Sequence, residues 1–240
     1  MKPALPYLAL IATAAFVLSP LVTDPFSGFD PGRFPVPQTD PPVQPAGYAF
    51  SIWGLIYLWL TVSALFGVMA RRADAGWQRM RLPLILTLGP GAAWLWVAGI
   101  SPIWATVLIF WMLGFALLAM LRAPQKDRWL AQAPLAIYTG WLTAAAHVSL
   151  GISLGGYGLA QPDIAAVLSV ALATGVALGI LYQRPDLFVY GLAVIWAVIG
   201  VLVANLGGSI MVQIAALLAL GLVALALARG LRAGQRARGL

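Results

Sequence analysis

The chain has 240 residues, 62% of them apolar and 9% charged, with a mean hydropathy of +0.92 and a formal net charge of +7. Such values exclude a soluble globular domain and point to an integral membrane protein. No cysteine is present, which excludes disulfides, thiolate metal centres, iron–sulfur clusters and cysteine nucleophiles, and a single histidine without any glutamate leaves little material for acid–base chemistry.

A bilayer core needs about 20 apolar residues per helix. Runs that meet or approach this length are Leu5 to Val22, Gly47 to Ala70, Leu82 to Gly99, Pro102 to Leu121, Leu130 to Gly151, Pro162 to Tyr182, Leu187 to Ala204 and Ser209 to Ala228. The pattern predicts an all-α polytopic bundle of about eight transmembrane helices. Lys2 and the first run imitate a secretory signal, but Pro20 and Leu21 stand where small cleavage-site residues belong, so the first helix is expected to be retained. Only Ile100 and Ser101 separate the third and fourth runs, and Pro102 supplies a helix start, which predicts a tight hairpin.

Lys and Arg stay on the cytoplasmic side of a membrane protein. With eight crossings, Lys2, Arg71, Arg72, Arg79, Arg81, Arg122, Lys126, Arg128, Arg184, Arg229, Arg232, Arg236 and Arg238 fall on one side and Arg33 alone on the other. The expected location is a bacterial inner (cytoplasmic) membrane with both termini cytoplasmic. These cations flank hydrophobic runs and face lipid headgroups, so no nucleic-acid partner is expected.

The one long loop, Thr23 to Ala46, carries Pro25, Pro31, Pro35, Pro37, Pro41, Pro42 and Pro45 together with Phe26, Phe29 and Phe34. It is too proline-rich for regular structure and too aromatic for a plain linker, and it reads as a lid. Its aspartates lack the spacing of a calcium loop, so no metal site is expected. Beyond the loop the chain enters its second helix at Ala46 or Gly47, where the prolines stop, and Phe50, Trp53 and Tyr57 then recur three and four residues apart on one predicted face.

This entry, P-x-G-x-x-F-x-x-W-x-x-x-Y from Pro45 to Tyr57, together with Trp94 and Trp96 in the third run and Pro134, Tyr138, Gly140 and Trp141 in the fifth, resembles the tryptophan-rich sensory protein family, whose eukaryotic members are the translocator protein or peripheral benzodiazepine receptor. The resemblance covers roughly residues 1–151. It implies a five-helix membrane bundle, with the external loop at 23–46, that binds porphyrins and other flat hydrophobic molecules. Residues 152–228 then form three additional transmembrane helices, and 229–240 a basic cytoplasmic tail.

Flat rings converging from several helices make slots for another flat molecule. Tyr48, Phe50, Trp53, Tyr57, Trp94, Trp96, Tyr138 and Trp141 are therefore the expected ligand-binding residues, with Trp111 in the same aromatic set and Tyr138, Thr139 and Thr143 as sources of orienting hydrogen bonds. Trp77, Trp104 and Trp129 fall where interfacial belts are expected. His147, the only histidine, has the chemistry to ligate the metal of a haem or chlorophyll-type tetrapyrrole, or simply to hydrogen-bond within the bundle. The chain has no P-loop, no paired intramembrane carboxylates and no nucleophile beside a base, so no catalytic residues are expected and an enzyme is the least favoured class.

Two functions follow from different features. The aromatic set points to noncatalytic binding, sensing or trafficking of a flat ligand such as a tetrapyrrole. The last three helices, with Ala171, Gly175 and Gly179 at four-residue spacing, point either to close packing inside the bundle or to docking onto a larger pigment–protein or respiratory membrane complex. Asn205 with Gly207 and Gly208 marks the end of the seventh helix.

Overall fold

The computed structural model describes residues 4–24 and 26–236, with side chains through residue 232. Lys2, Pro25, Arg238 and the side chain of Arg236, to which the sequence assigned places in the termini and the loop, lie outside the described residues. Among the described residues every regular element is helical: α1 (Leu5–Leu18), α2 (Ile52–Met69), α3 (Ala75–Gly91), α4 (Trp94–Ile100), α5 (Pro102–Arg122), α6 (Ala133–Gly156), α7 (Pro162–Gln183), α8 (Phe188–Ala204) and α9 (Ile210–Arg236). Six helical spans are long and apolar enough to cross a membrane, with α3 and α4 counted as one span, while Leu5–Leu21 and Phe188–Ala204 are apolar but shorter. The all-α polytopic bundle is as expected.

Three boundaries differ from the sequence pattern, each for a local reason. The third crossing begins at Ala75 rather than Leu82, because Asp74 caps the helix by accepting from the backbone N–H groups of Gly76 at 2.9 Å and Trp77 at 3.1 Å. Pro83 and Pro90 lie inside α3, and the crossing is interrupted just after Pro90 before resuming as α4. The fifth crossing starts with a π-helical turn at Arg128–Gln132 and runs on to Gly156, beyond the expected end at Gly151. The predicted hairpin forms as the spacing implied, with Ser101 capping α5 and Pro102 at its first position.

The chain divides into two compact units. Unit 1 comprises Met1–Phe29 and Ser51–Leu142, in which α3 packs on α1 and α5, α1 on α2, and α4 on α5. Unit 2 comprises Asp30–Phe50 and Thr143–Leu240, in which α9 packs on α7 and α8. Helix α6 contributes residues to both.

Within unit 2 the proline-rich segment is fastened to the helices. Phe34 is buried on Gly156, the backbone N–H of Val36 donates to the Gly156 carbonyl at 2.9 Å, and that of Ala46 to the Gly200 carbonyl at 3.0 Å. Asn205 lies just past the end of α8, as expected, but its side chain is buried and donates from Nδ2 to the carbonyls of Pro42 at 2.7 Å and Val201 at 2.8 Å. A segment with so many prolines has few N–H groups to offer, and the fastening uses two that remain, at Val36 and Ala46, together with the Pro42 carbonyl and the Phe34 ring.

Candidate functional site

Five rings of unit 1 come together from three helices. Phe16 of α1 is the hub, with ring centroids 5.9 Å from Trp53, 5.7 Å from Tyr57 and 5.6 Å from Tyr138, all edge-on. Trp53 and Tyr57, one turn apart on α2, stack at 5.3 Å with 24° between their planes. Trp141 of α6 meets Trp53 edge-on at 6.2 Å. Edge-on and offset arrangements are those that aromatic quadrupoles favour.

The cluster has a buried floor and a partly open face. Phe16, Tyr138 and Trp141 are buried, whereas Trp53 and Tyr57 each keep part of their surface accessible. The floor is fixed by hydrogen bonds, since the Tyr138 and Thr87 hydroxyls lie 2.9 Å apart and Thr87 donates to the Met112 carbonyl at 2.8 Å. Gly91 is part of the same packing, because a Cβ there would come within 2.9 Å of the Met112 side chain and 3.1 Å of the Phe16 ring.

The remaining expected residues lie elsewhere. Trp94 belongs to a second group in unit 1, edge-on to Phe26 at 5.0 Å, with its indole N–H donating to the Ala105 carbonyl at 2.9 Å. Trp96, also on α4, is 65% exposed. Trp111, midway along α5, donates to the Leu86 carbonyl at 3.0 Å and is half exposed. Tyr48 is in unit 2, edge-on to Trp196 at 5.6 Å, and Trp196 in turn donates to the Ala49 carbonyl at 2.9 Å.

Phe50 also falls in unit 2, half-buried in a 3-10 turn, Gly47–Ser51, that precedes α2. The tighter winding of that turn, three residues rather than 3.6, breaks the simple face predicted for Phe50, Trp53 and Tyr57. His147 is a buried residue of unit 2, and because α6 continues to Gly156 it sits about two and a half turns inside the helix end. Its Nδ1 is 2.6 Å from the Thr143 carbonyl, which can only accept, so Nδ1 carries the proton. Thr143 itself meets the Tyr190 hydroxyl at 3.1 Å.

One end of unit 1 is closed by a crossed pair of ion pairs between the segment after α2 and the segment after α5. Arg71 donates to Asp127 from Nε at 2.7 Å and Nη2 at 3.0 Å, Trp77 adds its indole N–H to the same carboxylate at 2.8 Å, and Lys126 pairs with Asp74 in return. The Lys126 ammonium, followed by the Trp77 backbone N–H, holds the Asp74 carboxyl below its ordinary value, and the Asp127 hydrogen bond raises that of Arg71. Arg81, placed by the sequence in a loop, is instead a buried residue of α3 that donates to the carbonyls of Gly67 at 2.8 Å, Arg71 at 2.9 Å and Arg72 at 3.0 Å, closing the C-terminal end of α2.

A family model described as TSPO-like protein matches residues 8–229. The chain belongs to the TSPO-like family. Its match takes in the last three helices, so the resemblance drawn from motifs, which ended at residue 151, stopped short of the shared region. No curated protein and no solved structure matches the chain significantly. With helical spans of membrane-crossing length, this TSPO-like chain is an integral membrane protein.

Phe16 and Thr87 are the two residues of the cluster that sequence reasoning missed. Phe16 carries no spacing signal, since the other aromatic of α1, Tyr7, is nine residues away, and Thr87 is one hydroxyl in a leucine-rich helix.

Proposed function

We propose that this TSPO-like protein binds a flat hydrophobic ligand noncatalytically, a tetrapyrrole such as a porphyrin, haem or chlorophyll-type ring, in order to sense it or pass it on. The observation that carries the reading is the stacked pair Trp53 and Tyr57, partly accessible and backed by the buried rings of Phe16, Tyr138 and Trp141. A flat molecule gains most from a flat, preorganised aromatic surface, because little side-chain entropy remains to be lost on binding. Tyr48, Phe50, Trp94, Trp96 and His147 have no part in the proposed site. The test is a porphyrin titration of the purified protein followed by tryptophan quenching, with Trp53→Phe and Trp141→Phe alongside. Saturation at about micromolar concentration, or roughly 8 kcal/mol, weakened by Trp53→Phe, supports the site; quenching that never saturates, or that both variants leave unchanged, overturns it.

A second reading, docking onto a larger membrane complex, is favoured by one observation. Ala171, Gly175 and Gly179 lie exposed along α7, and a Cβ at either glycine would meet nothing within 4 Å. The row is therefore not used for packing within the protein, and small residues in lipid allow close approach by another helix.

A further inference from the structure

We propose that the charged end of unit 1 is a binding surface for the headgroups of anionic glycerophospholipids. That end holds Arg71, Arg72, Arg79, Arg81, Arg122, Lys126 and Arg128 against only Asp74 and Asp127. Both carboxylates are spent internally: Asp127 takes Arg71 and the Trp77 indole, while Asp74 takes Lys126 and caps α3. Arg81 is buried against backbone carbonyls. The internal pairing therefore uses up the acids and leaves a cationic excess, and Arg79 on α3 and Arg122 in the last turn of α5 are exposed with no carboxylate partner among the described residues.

An aromatic shelf accompanies these cations. Trp59 and Trp129 stack at 6.2 Å with 10° between their planes, the Trp59 indole donates to the Trp129 carbonyl at 2.7 Å, and Trp129 stays 56% exposed. The Arg128 guanidinium lies 6.0 Å over the Trp129 ring. Trp59 precedes the end of α2 by roughly 15 Å of helix rise, so its indole lies at the depth of a lipid's acyl chains when the exposed Arg79 and Arg122 face the headgroups. A stacked, partly exposed pair of indoles suits the acyl chains of a lipid, and a planar guanidinium suits its phosphate. An amphipathic ligand with an anionic head and an apolar body fits both parts, and a free anion uses only one.

The inference is tested with the full chain in nanodiscs of phosphatidylcholine with and without phosphatidylglycerol, reading the thermal midpoint at low and high salt. The expected result is a higher midpoint with phosphatidylglycerol, shrinking at high salt, and a shift at least halved in Arg79→Gln/Arg122→Gln and lost when Trp129→Ala is added. Arg229→Gln/Arg232→Gln, in unit 2, is expected to keep the full shift. Equal midpoints in the two lipids overturn the inference, as does a shift that survives in the Arg79→Gln/Arg122→Gln protein. If inorganic phosphate added to phosphatidylcholine discs reproduces the shift, the surface recognises a free anion and the lipid assignment falls.

Discussion

Asn205 shows how much a single buried polar side chain can hold in place. Its side-chain amide donates to the Pro42 carbonyl in the long loop and to the Val201 carbonyl on the preceding helix, while its backbone carbonyl accepts from the Gln213 side chain of α9 at 2.8 Å. Asn205→Ala leaves the Pro42 carbonyl without that donor, a loss of about 1–3 kcal/mol, and thermal unfolding together with protease cutting within residues 30–50 should both rise to meet it; an unchanged cutting rate would mean that the loop is held without this bond. The residue's place at a helix end was legible from its sequence neighbours Gly207 and Gly208, but its partner 163 positions away was not. Asp74 offers a prediction with a sign. Because Lys126 and the α3 backbone lower its proton affinity in the folded state, its contribution to stability is present above about pH 4, the ordinary aspartate value, and is lost as pH falls through the lower folded value. Asp74→Asn should flatten the melting midpoint below that pH relative to the parent, and identical profiles would rule out this carboxylate as an acid-sensitive point.

Elements were legible where hydropathy alone decides them and illegible where one atom does. Each apolar run became helical, the third as two helices, because in lipid the backbone must satisfy its own hydrogen bonds. The ends moved where a cap, a proline or a change of winding intervened, as at Asp74, Pro90 and the π-helical turn before α6. Helix α6 also shows why its glycines matter. A Cβ on Gly156 would lie 2.2 Å from Cδ1 of Phe34 and 2.9 Å from its Cβ, so the ring of the loop rests directly on the helix backbone. Gly156→Ala is therefore expected to destabilise unit 2 by about 1–3 kcal/mol through overpacking. Adding Phe34→Ala should recover part of that loss, since the double variant removes the closest approach, to the ring, and leaves only the 2.9 Å approach to the Cβ of residue 34, and the coupling can be read from midpoints of the two single variants and the double one. Strict additivity would show that the ring moves aside at no cost.

At the scale of the whole molecule the sequence announces how many crossings there are more clearly than which ones belong together. Motif spacing grouped the first five helices and set the last three apart, yet residues 30–50 are in the same compact unit as α7, α8 and α9, and the family match continues to residue 229. Lipid removes the hydrophobic difference between an inward and an outward apolar side chain, so periodicity cannot say which face of a membrane helix is covered. Of the expected aromatic site, Trp53, Tyr57, Tyr138 and Trp141 converge because their helices pack on a hub, Phe16, whose identity no spacing reveals. The same limit applied to α7, where small residues suited an internal contact as well as an external one. Exposure of Ala171, Gly175 and Gly179 now separates these uses and makes an experiment clean. Because open space surrounds both glycines, Gly175→Leu/Gly179→Leu should fold as well as the parent, within about 0.5 kcal/mol, and any loss of association then reports on the surface itself. If α7 docks on another membrane protein, the parent should migrate in a larger complex in mild detergent and the double variant should migrate alone. A parent that already migrates alone would assign the row to lipid contact and remove docking as a function of this helix.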